Sequence, residues 1–294
     1  MNRANRRTLI AGALGAGALA AYAFLVEPRW IEVTRTRVHM RSLPEPLEGL
    51  RIALLSDLHA GEGTPMSVIR RACELVMREA PDLVAITGDL ISDDAEAFKP
   101  VLDALSGLTA PLGVYAVPGN HDHAVGIGKW QREIGEHPVI RDLTNRAVLQ
   151  EVAGARLCIA GVDDLSSGDP TLNDLPPPDR RDATILLAHD PDHAERARRT
   201  YDSVDLVLSG HTHGGQIRLP LIGALRNPSS DMYEEGLRRR PWTQVYVSRG
   251  VGTIHLPARF LCRPEVAILE LTASRRPPRP GGESHRPRHR PMQR

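Results

Sequence analysis

The sequence predicts an α/β fold built on two sheets, and three observations carry that prediction. Short, nearly unbroken apolar runs recur, such as Leu83-Val84-Ala85-Ile86-Thr87 and Thr184-Ile185-Leu186-Leu187-Ala188. Runs of that length and β-branched content belong to strands covered on both faces, as in parallel sheets. Between the early runs lie segments with helical spacing, which supply the covering layers. After Arg146 the rhythm changes to adjacent strands and then further apolar runs, so the second half adds a second sheet that stacks on the first.

The elements follow in order. Arg3, Arg6 and Arg7 precede an uncharged, Ala/Gly-rich stretch from Leu9 to Val26. A charged start followed by an apolar run is an export signal or a membrane anchor. Asn5-Arg6-Arg7-Thr8-Leu9-Ile10 resembles a twin-arginine signal, whose route passes folded cargo. Ala18-Leu19-Ala20 and Ala21-Tyr22-Ala23 are small-x-small cleavage candidates, and cleavage and retention both stay open. Residues 1–26 are therefore set apart from a globular domain at 31–272. Glu32 to Val38 alternates as an edge strand, and Pro44 and Pro46 mark a linker, with the main body of the domain beginning near Leu50.

Leu50 to Leu55 is a short strand that ends at Asp57. Pro65 to Arg78 places Met66, Ile69, Ala72, Cys73, Val76 and Met77 on one helical face, with Thr64 as the expected cap and Pro65 in the first turn. Leu83 to Thr87 ends at Gly88-Asp89, Ala95 to Leu108 is a second helix, and Val114 to Val117 ends at Gly119-Asn120. Arg146 to Gln150 and Ala155 to Gly161 read as paired strands, and Asp169 to Arg180 as a proline-rich loop. Thr184 to Ala188 ends at His189, and Val204 to Leu208 ends at Gly210-His211. Val245 to Val247 and Val266 to Leu271 close the fold. Residues 274–294, rich in Arg, Pro, Gly and His, have little to bury and read as a disordered basic tail.

A net charge of +1 and an aromatic content of 4% argue against a nucleic-acid partner. Cys73, Cys158 and Cys262 are far apart and odd in number, so they form neither a disulfide framework nor a zinc knuckle. No feature fixes an oligomeric state.

The chemistry lies at the strand ends. Asp57 and His59, Asp89, Asn120, His189, and His211 and His213 each follow an apolar run. In α/β folds the carboxyl ends of strands are where side chains converge on a site. Two residues apart at a strand end, Asp57 and His59 face one side, as do His211 and His213. A carboxylate such as Asp89 has two oxygens and can bridge two cations. The mixed oxygen and nitrogen set, without thiolate, suits Mn, Fe, Zn or Co better than Ca or a structural zinc. Singly these signals are weak, because a lone strand-end histidine or aspartate is more often structural. The ordered set is specific.

On Asp57-Leu58-His59, Gly88-Asp89, Gly119-Asn120-His121-Asp122, His189 and Gly210-His211-Thr212-His213, the sequence resembles the calcineurin-like metallophosphoesterase family, in its bacterial branch with an N-terminal signal or anchor. The resemblance runs from about Ile31 to Leu271. It implies a four-layer α/β-β/α sandwich of two packed mixed sheets flanked by helices. It also implies a hydrolase of phosphodiester, phosphomonoester or pyrophosphate bonds. One divalent metal would take Asp57, His59, His213 and bridging Asp89, and a second would take Asp89, Asn120, His189 and His211. A metal-bridging hydroxide would attack phosphorus in line, and His121 would assist the leaving oxygen.

Departures from the family pattern appear. Where many members carry an Asp that orients the catalytic histidine, this chain has Ser92, followed by Asp93 and Asp94. His123 stands where relatives often carry an aromatic and is a candidate substrate contact, with a surface histidine as its rival. Arg259 is a candidate phosphate clamp, with a surface salt bridge as its rival. His255 reads as structural.

The resemblance and the N-terminus together imply a protein that is periplasmic, or anchored at the outer face of the inner membrane, and acts on an envelope or lipid-linked phosphoester. UDP-2,3-diacylglucosamine is one such substrate, but it lies on the cytoplasmic side and conflicts with full export. The alternative is a noncatalytic envelope-binding protein that uses its metals for structure.

Overall fold

A computed structural model describes residues 3–41, 43–61, 63–200, 204–225, 227–229 and 232–274. The helices are α1 (Arg3–Ala21), α2 (Met66–Arg78), α3 (Phe98–Leu105), α4 (Asn120–Gly135) and α5 (His193–Thr200). The strands of the first half are β1 (Glu32–Met40), β2 (Arg51–Leu55), β3 (Leu83–Thr87), β4 (Val114–Val117) and β5 (Ile140–Asp142). Next come β6 (Arg146–Val152), β7 (Ala155–Gly161), β8 (Ala183–Leu187) and β9 (Leu206–Ser209). The last are β10 (Arg218–Leu219), β11 (Gly223–Ala224), β12 (Gly236–Arg239), β13 (Gln244–Val247) and β14 (Glu265–Ala273).

Two six-stranded sheets form, in the orders β1-β14-β2-β3-β4-β5 and β12-β13-β9-β8-β7-β6. In the first, β2 to β5 run parallel, and β14 closes antiparallel on β2 with β1 parallel beside it. In the second, β13, β9, β8 and β7 run parallel between antiparallel edges. Each central strand puts alternate residues into two cores, which is why its sequence shows no polar face. Ile52, Leu54, Leu83 and Ala85 meet Leu157, Ile159, Ile185 and Leu206 between the sheets. Ala53, Leu55, Val84 and Ile86 instead pack under Ile69, Val76, Phe98 and Trp130 from α2, α3 and α4. On the outer face of the second sheet, Leu186, Val207 and Val245 pack against Ala194 and Ala197 of α5. The result is the four-layer sandwich.

Several boundaries differ from expectation. The body does not begin near Leu50: β1 is a full edge strand, and Leu43 and Leu47 of the presumed linker are buried between the sheets. Thr64 does not cap α2; Pro65 occupies the cap position, and the Thr64 hydroxyl accepts from Thr253 N at 3.0 Å. The second helix is shorter, because residues 95–97 form a 3-10 turn whose Glu96 N–H is capped by Asp94. The expected tail from residue 275 lies outside the described residues.

At the N-terminus α1 continues through turns at Tyr22–Val26 and Glu27–Arg29. Asn5–Arg29 is long and apolar enough to cross a membrane, and its most apolar window has no part buried in the protein.

Candidate metal centre

The carboxyl ends of β2, β3 and β4 in one sheet and of β8 and β9 in the other meet at one edge of the sandwich. There the backbone does something rare. Asp57, His59, Asp89, His211 and His213 have φ of 52°, 43°, 53°, 69° and 53°. Left-handed backbone outside glycine costs of order 1 kcal/mol or more per residue and persists only where the surroundings enforce it. Close packing enforces it here. A Cβ on Gly119 would lie 2.2 Å from Asp89 Oδ1, and one on Gly210 would lie 2.2 Å from Asp57 Oδ2. These glycines let each carboxylate press against the neighbouring loop.

All seven expected ligands converge. Asp57, His59 and His213 form one group, with His59 Nε2 and His213 Nε2 3.1 Å apart and His213 Nε2 3.5 Å from Asp57 Oδ1. Asp89, His189 and His211 form another, with His211 Nδ1 3.0 Å from His189 Nε2. Asn120 Oδ1 lies 3.1 Å from the same His189 nitrogen. Asp89 stands between the groups, its Oδ2 3.5 Å from His59 Nε2 and 3.3 Å from His189 Nε2.

The ring orientations are fixed from behind. His189 Nδ1 donates to Thr87 O at 2.7 Å, so its Nε2 faces inward. His59 Nδ1 meets Ser92 Oγ at 3.3 Å, again leaving Nε2 inward. Such outer bonds orient imidazole ligands. Burial holds His59 down at about 3 and His211 at about 4, and pushes His213 well below its usual range. These imidazoles are neutral and carry free lone pairs. Burial pushes the Asp57 carboxyl up to about 6. For Asp89 burial acts upward, but His189, His59 and His121 outweigh it and hold the carboxylate well below the ordinary range. Burial lowers His189 too, yet Asp89, by charge and hydrogen bond, and then Asp57 raise it well above the usual value.

Neutral ring nitrogens 3.1 Å apart, a carboxylate, an amide oxygen and a further imidazole all aim their lone pairs inward. Divalent cations would offset that concentration of acceptors, and the oxygen/nitrogen donor set suits them.

His121 donates its own backbone N–H to Asp89 Oδ1 at 2.9 Å. Its ring Nδ1 lies 2.8 Å from Ser92 O. The orienting carboxylate missing at position 92 is thus replaced by that residue's backbone carbonyl. The free face of His121 lines a cavity of about 320 Å³, together with Asp89, Asn120, His211 and His213. A larger recess of about 830 Å³, lined by Arg37, Arg239 and Trp242 among others, shares no residue with this centre.

Sequence reasoning missed two supports. Asp122 is fully buried and accepts from the backbone N–H of Asp89, Leu90 and Gly119 at 2.8, 3.0 and 2.9 Å. It ties two ligand loops together, and its place three residues after Gly119 is the capping-box position. Burial and the Asp89 charge push its carboxyl up to about 8. Gln216 clamps the loop over the cavity through Ile254 N, Ile254 O and Leu256 O.

Three expectations are corrected. Arg259 is fully buried, and its guanidinium donates to the carbonyls of Arg249, Gly250, Gly252 and Cys262. No donor is left to clamp a phosphate. Instead it braces the loop whose Val251 and Gly252 N–H groups bond Ser56 O and Asp57 O. His123 is absent from the cavity lining, and its Nε2 is instead paired with Asp163 Oδ1 at 2.5 Å. His255, read as structural, is exposed and lines the cavity.

Arg259→Ala strands several buried carbonyls and is expected to cost about 3 kcal/mol. That lowers Tm by on the order of 10 °C, with KM for a soluble ester unchanged. A raised KM without a Tm shift would return Arg259 to the substrate.

Residues 50–215 match the calcineurin-like phosphoesterase family. The chain is 35% identical over 276 residues to "Uncharacterized metallophosphoesterase YkuE" of Bacillus subtilis, covering 90% of this chain and 94% of that protein. It is 35% identical over 258 residues to "Phosphodiesterase YaeI" of Escherichia coli, covering 85% and 92%. It is 32% identical over 279 residues to a "Transmembrane protein with metallophosphoesterase domain" of Danio rerio, covering 90% and 63%. The fold and these matches define a metal-dependent hydrolase of phosphoester bonds. This chain belongs to the calcineurin-like metallophosphoesterases.

Proposed function

We propose that this protein is a phosphodiesterase that works with two divalent cations at the outer face of a membrane. One cation is assigned to Asp57, His59, His213 and Asp89, and the other to Asp89, Asn120, His189 and His211. The observation that carries this is the position of Asp89 Oδ2, within 3.5 Å of ring nitrogens from both groups. When bound, a pair of such cations supplies an activated water and neutralises charge on the phosphoryl oxygens.

The chain's own residues supply the rest. His121 is the general acid. Its Nδ1–H donates to the fixed Ser92 carbonyl, and its Nε2 delivers a proton to the leaving oxygen. Asp122 keeps the Asp89 loop and the Asn120 loop in register. The name of the Escherichia coli relative favours diesters over monoesters. The N-terminal helix and the name of the Danio rerio relative support a membrane location. The twin-arginine pattern is the proposed route, with 31–272 as the exported catalytic domain and the residues beyond 274 as a basic tail.

The test is a metal-supplemented screen of the full chain over phosphomonoesters, diesters and nucleotide-lipid pyrophosphates. Bis-p-nitrophenyl phosphate is expected to turn over with Mn, Fe, Zn or Co and to stop when a chelator is added. Metal-loaded protein that cleaves none of the panel would support a noncatalytic binding role instead. A topology reporter after residue 294 separates an outer from a cytoplasmic site.

A further inference from the structure

The large exposed apolar side chains cluster. Among the described residues outside α1, all but Leu149 and Met232 fall in three segments: 24–30, 221–225 and 256–261. The three segments are tied together. Arg259 N–H donates to Ala23 O at 2.9 Å, and the Leu261 and Cys262 N–H groups donate to the Glu27 carboxylate. Phe260 packs edge-on to Tyr22 at 6.4 Å. The β10–β11 hairpin starts from the same residue, since Arg218 N–H donates to Phe260 O at 2.9 Å. The helix exit, the 256–262 segment and the hairpin therefore form one contiguous surface.

Two of its three segments border the metal cavity. Leu225 and Leu256 line the cavity and are 59% and 42% exposed. Beyond them the hairpin tip presents Leu221, fully exposed, and Ile222, 72% exposed. No soluble partner is needed to explain so much bare apolar surface beside a helix that itself has none of its apolar window buried. The boundary residues fit a headgroup region: Trp30 is exposed, with the Arg263 guanidinium 4.2 Å from its ring centroid. A Trp and a cation at the end of an apolar helix mark the level of the membrane interface.

We propose that Leu221 and Ile222 at the hairpin tip seat in the leaflet that α1 enters, so that the metal cavity opens onto the bilayer and takes a phosphoester of a lipid. This rests on the hydrolase reading above and adds the phase from which substrate arrives. Leu225 and Leu256 then line a continuous apolar path from acyl chains to Asp89 and His121, which a water-soluble nucleotide would not use.

The test uses the full chain in nanodiscs of phosphatidylethanolamine and phosphatidylglycerol. The three native cysteines are buried, so Ile222→Cys can be labelled selectively with a polarity-sensitive fluorophore. Quenching by doxyl-labelled lipid is expected at position 222 and not at a Glu151→Cys control on exposed β6. In a second arm, Leu221→Asp with Ile222→Asp is assayed on a p-nitrophenyl phosphodiester of diacylglycerol within the disc and on soluble bis-p-nitrophenyl phosphate. The lipid ester is expected to slow at least about tenfold, the scale of removing large apolar groups from an apolar phase. The soluble ester is expected to stay within about twofold, as for surface substitutions generally.

An unquenched probe at 222, equal losses on both esters, or an unaltered lipid rate would each overturn the proposal. So would cross-linking of the tip to a second copy in place of lipid quenching. If the unsubstituted protein cleaves the soluble ester but not the lipid ester, this inference falls and the hydrolase reading stands. If it cleaves neither, both fall.

Discussion

Asp89→Ala is expected to empty the centre of both metals. Wild-type protein should carry about two ions per chain, and the variant below about 0.2, because each cation loses the one ligand they share. Hydrolysis should fall by more than roughly 10³, beyond the loss from a single electrostatic stabiliser. Metal analysis by mass spectrometry on protein refolded or purified with excess metal checks the point without relying on activity. The contrast with Asp57→Ala is informative, since Asp57 belongs to one group and its carboxylate is hydrogen-bonded to the other through the His211 backbone N–H. Full occupancy in Asp89→Ala would show that the two groups hold their cations independently and that Asp89 bridges nothing.

His121→Ala is the second large effect, with the opposite signature. The ring of His121 contacts Ser92 O, stacks edge-on to His59 at 4.9 Å and lies close enough to His59 and Asp89 to share a cation with them, but the assignments proposed above give it no metal. Metal content should therefore stay at the wild-type level while kcat drops by about 10² to 10⁴, the usual contribution of a positioned proton donor. The loss should shrink for esters whose leaving group needs no proton, such as p-nitrophenolate, compared with alkoxide leaving groups. Ser92→Ala provides the internal control. It removes only the hydroxyl near His59 and keeps the carbonyl that orients His121, so kcat should change by less than about fivefold. Unchanged kcat in His121→Ala would assign the acid elsewhere, and exposed His255 on the cavity wall would be the next residue to test.

How much of this was legible in the sequence depended on which atoms did the work. The central strands were legible because burial on both faces strips them of polar residues, and the ligands were legible because they follow those strands directly. What could not be read was conformation and backbone chemistry. Nothing in the letters at Asp57, Asp89 or His211 marks a left-handed backbone. The group that orients His121 is a main-chain carbonyl, which any residue at position 92 supplies, so a search for a side chain there was bound to come up short. Arg259 misled because an arginine near an anion site suggests a clamp, whereas its burial under the 249–252 loop is a tertiary fact. Helix α4 was hidden because it opens on ligands and breaks at Gly126, whose φ is 122°. The β10–β11 hairpin has strands of only two residues, too short for any periodicity.

The division of the centre between the two sheets has a consequence for how the protein matures. Asp57, His59, Asp89 and Asn120 come from the first half of the chain, and His189, His211 and His213 from the second. Under the assignments above, each cation draws ligands from both halves. A nascent or truncated chain therefore lacks a complete site for either ion, and metal capture reports that both sheets have docked. On a transport route that accepts only folded cargo, the metals are then chosen in the compartment of synthesis.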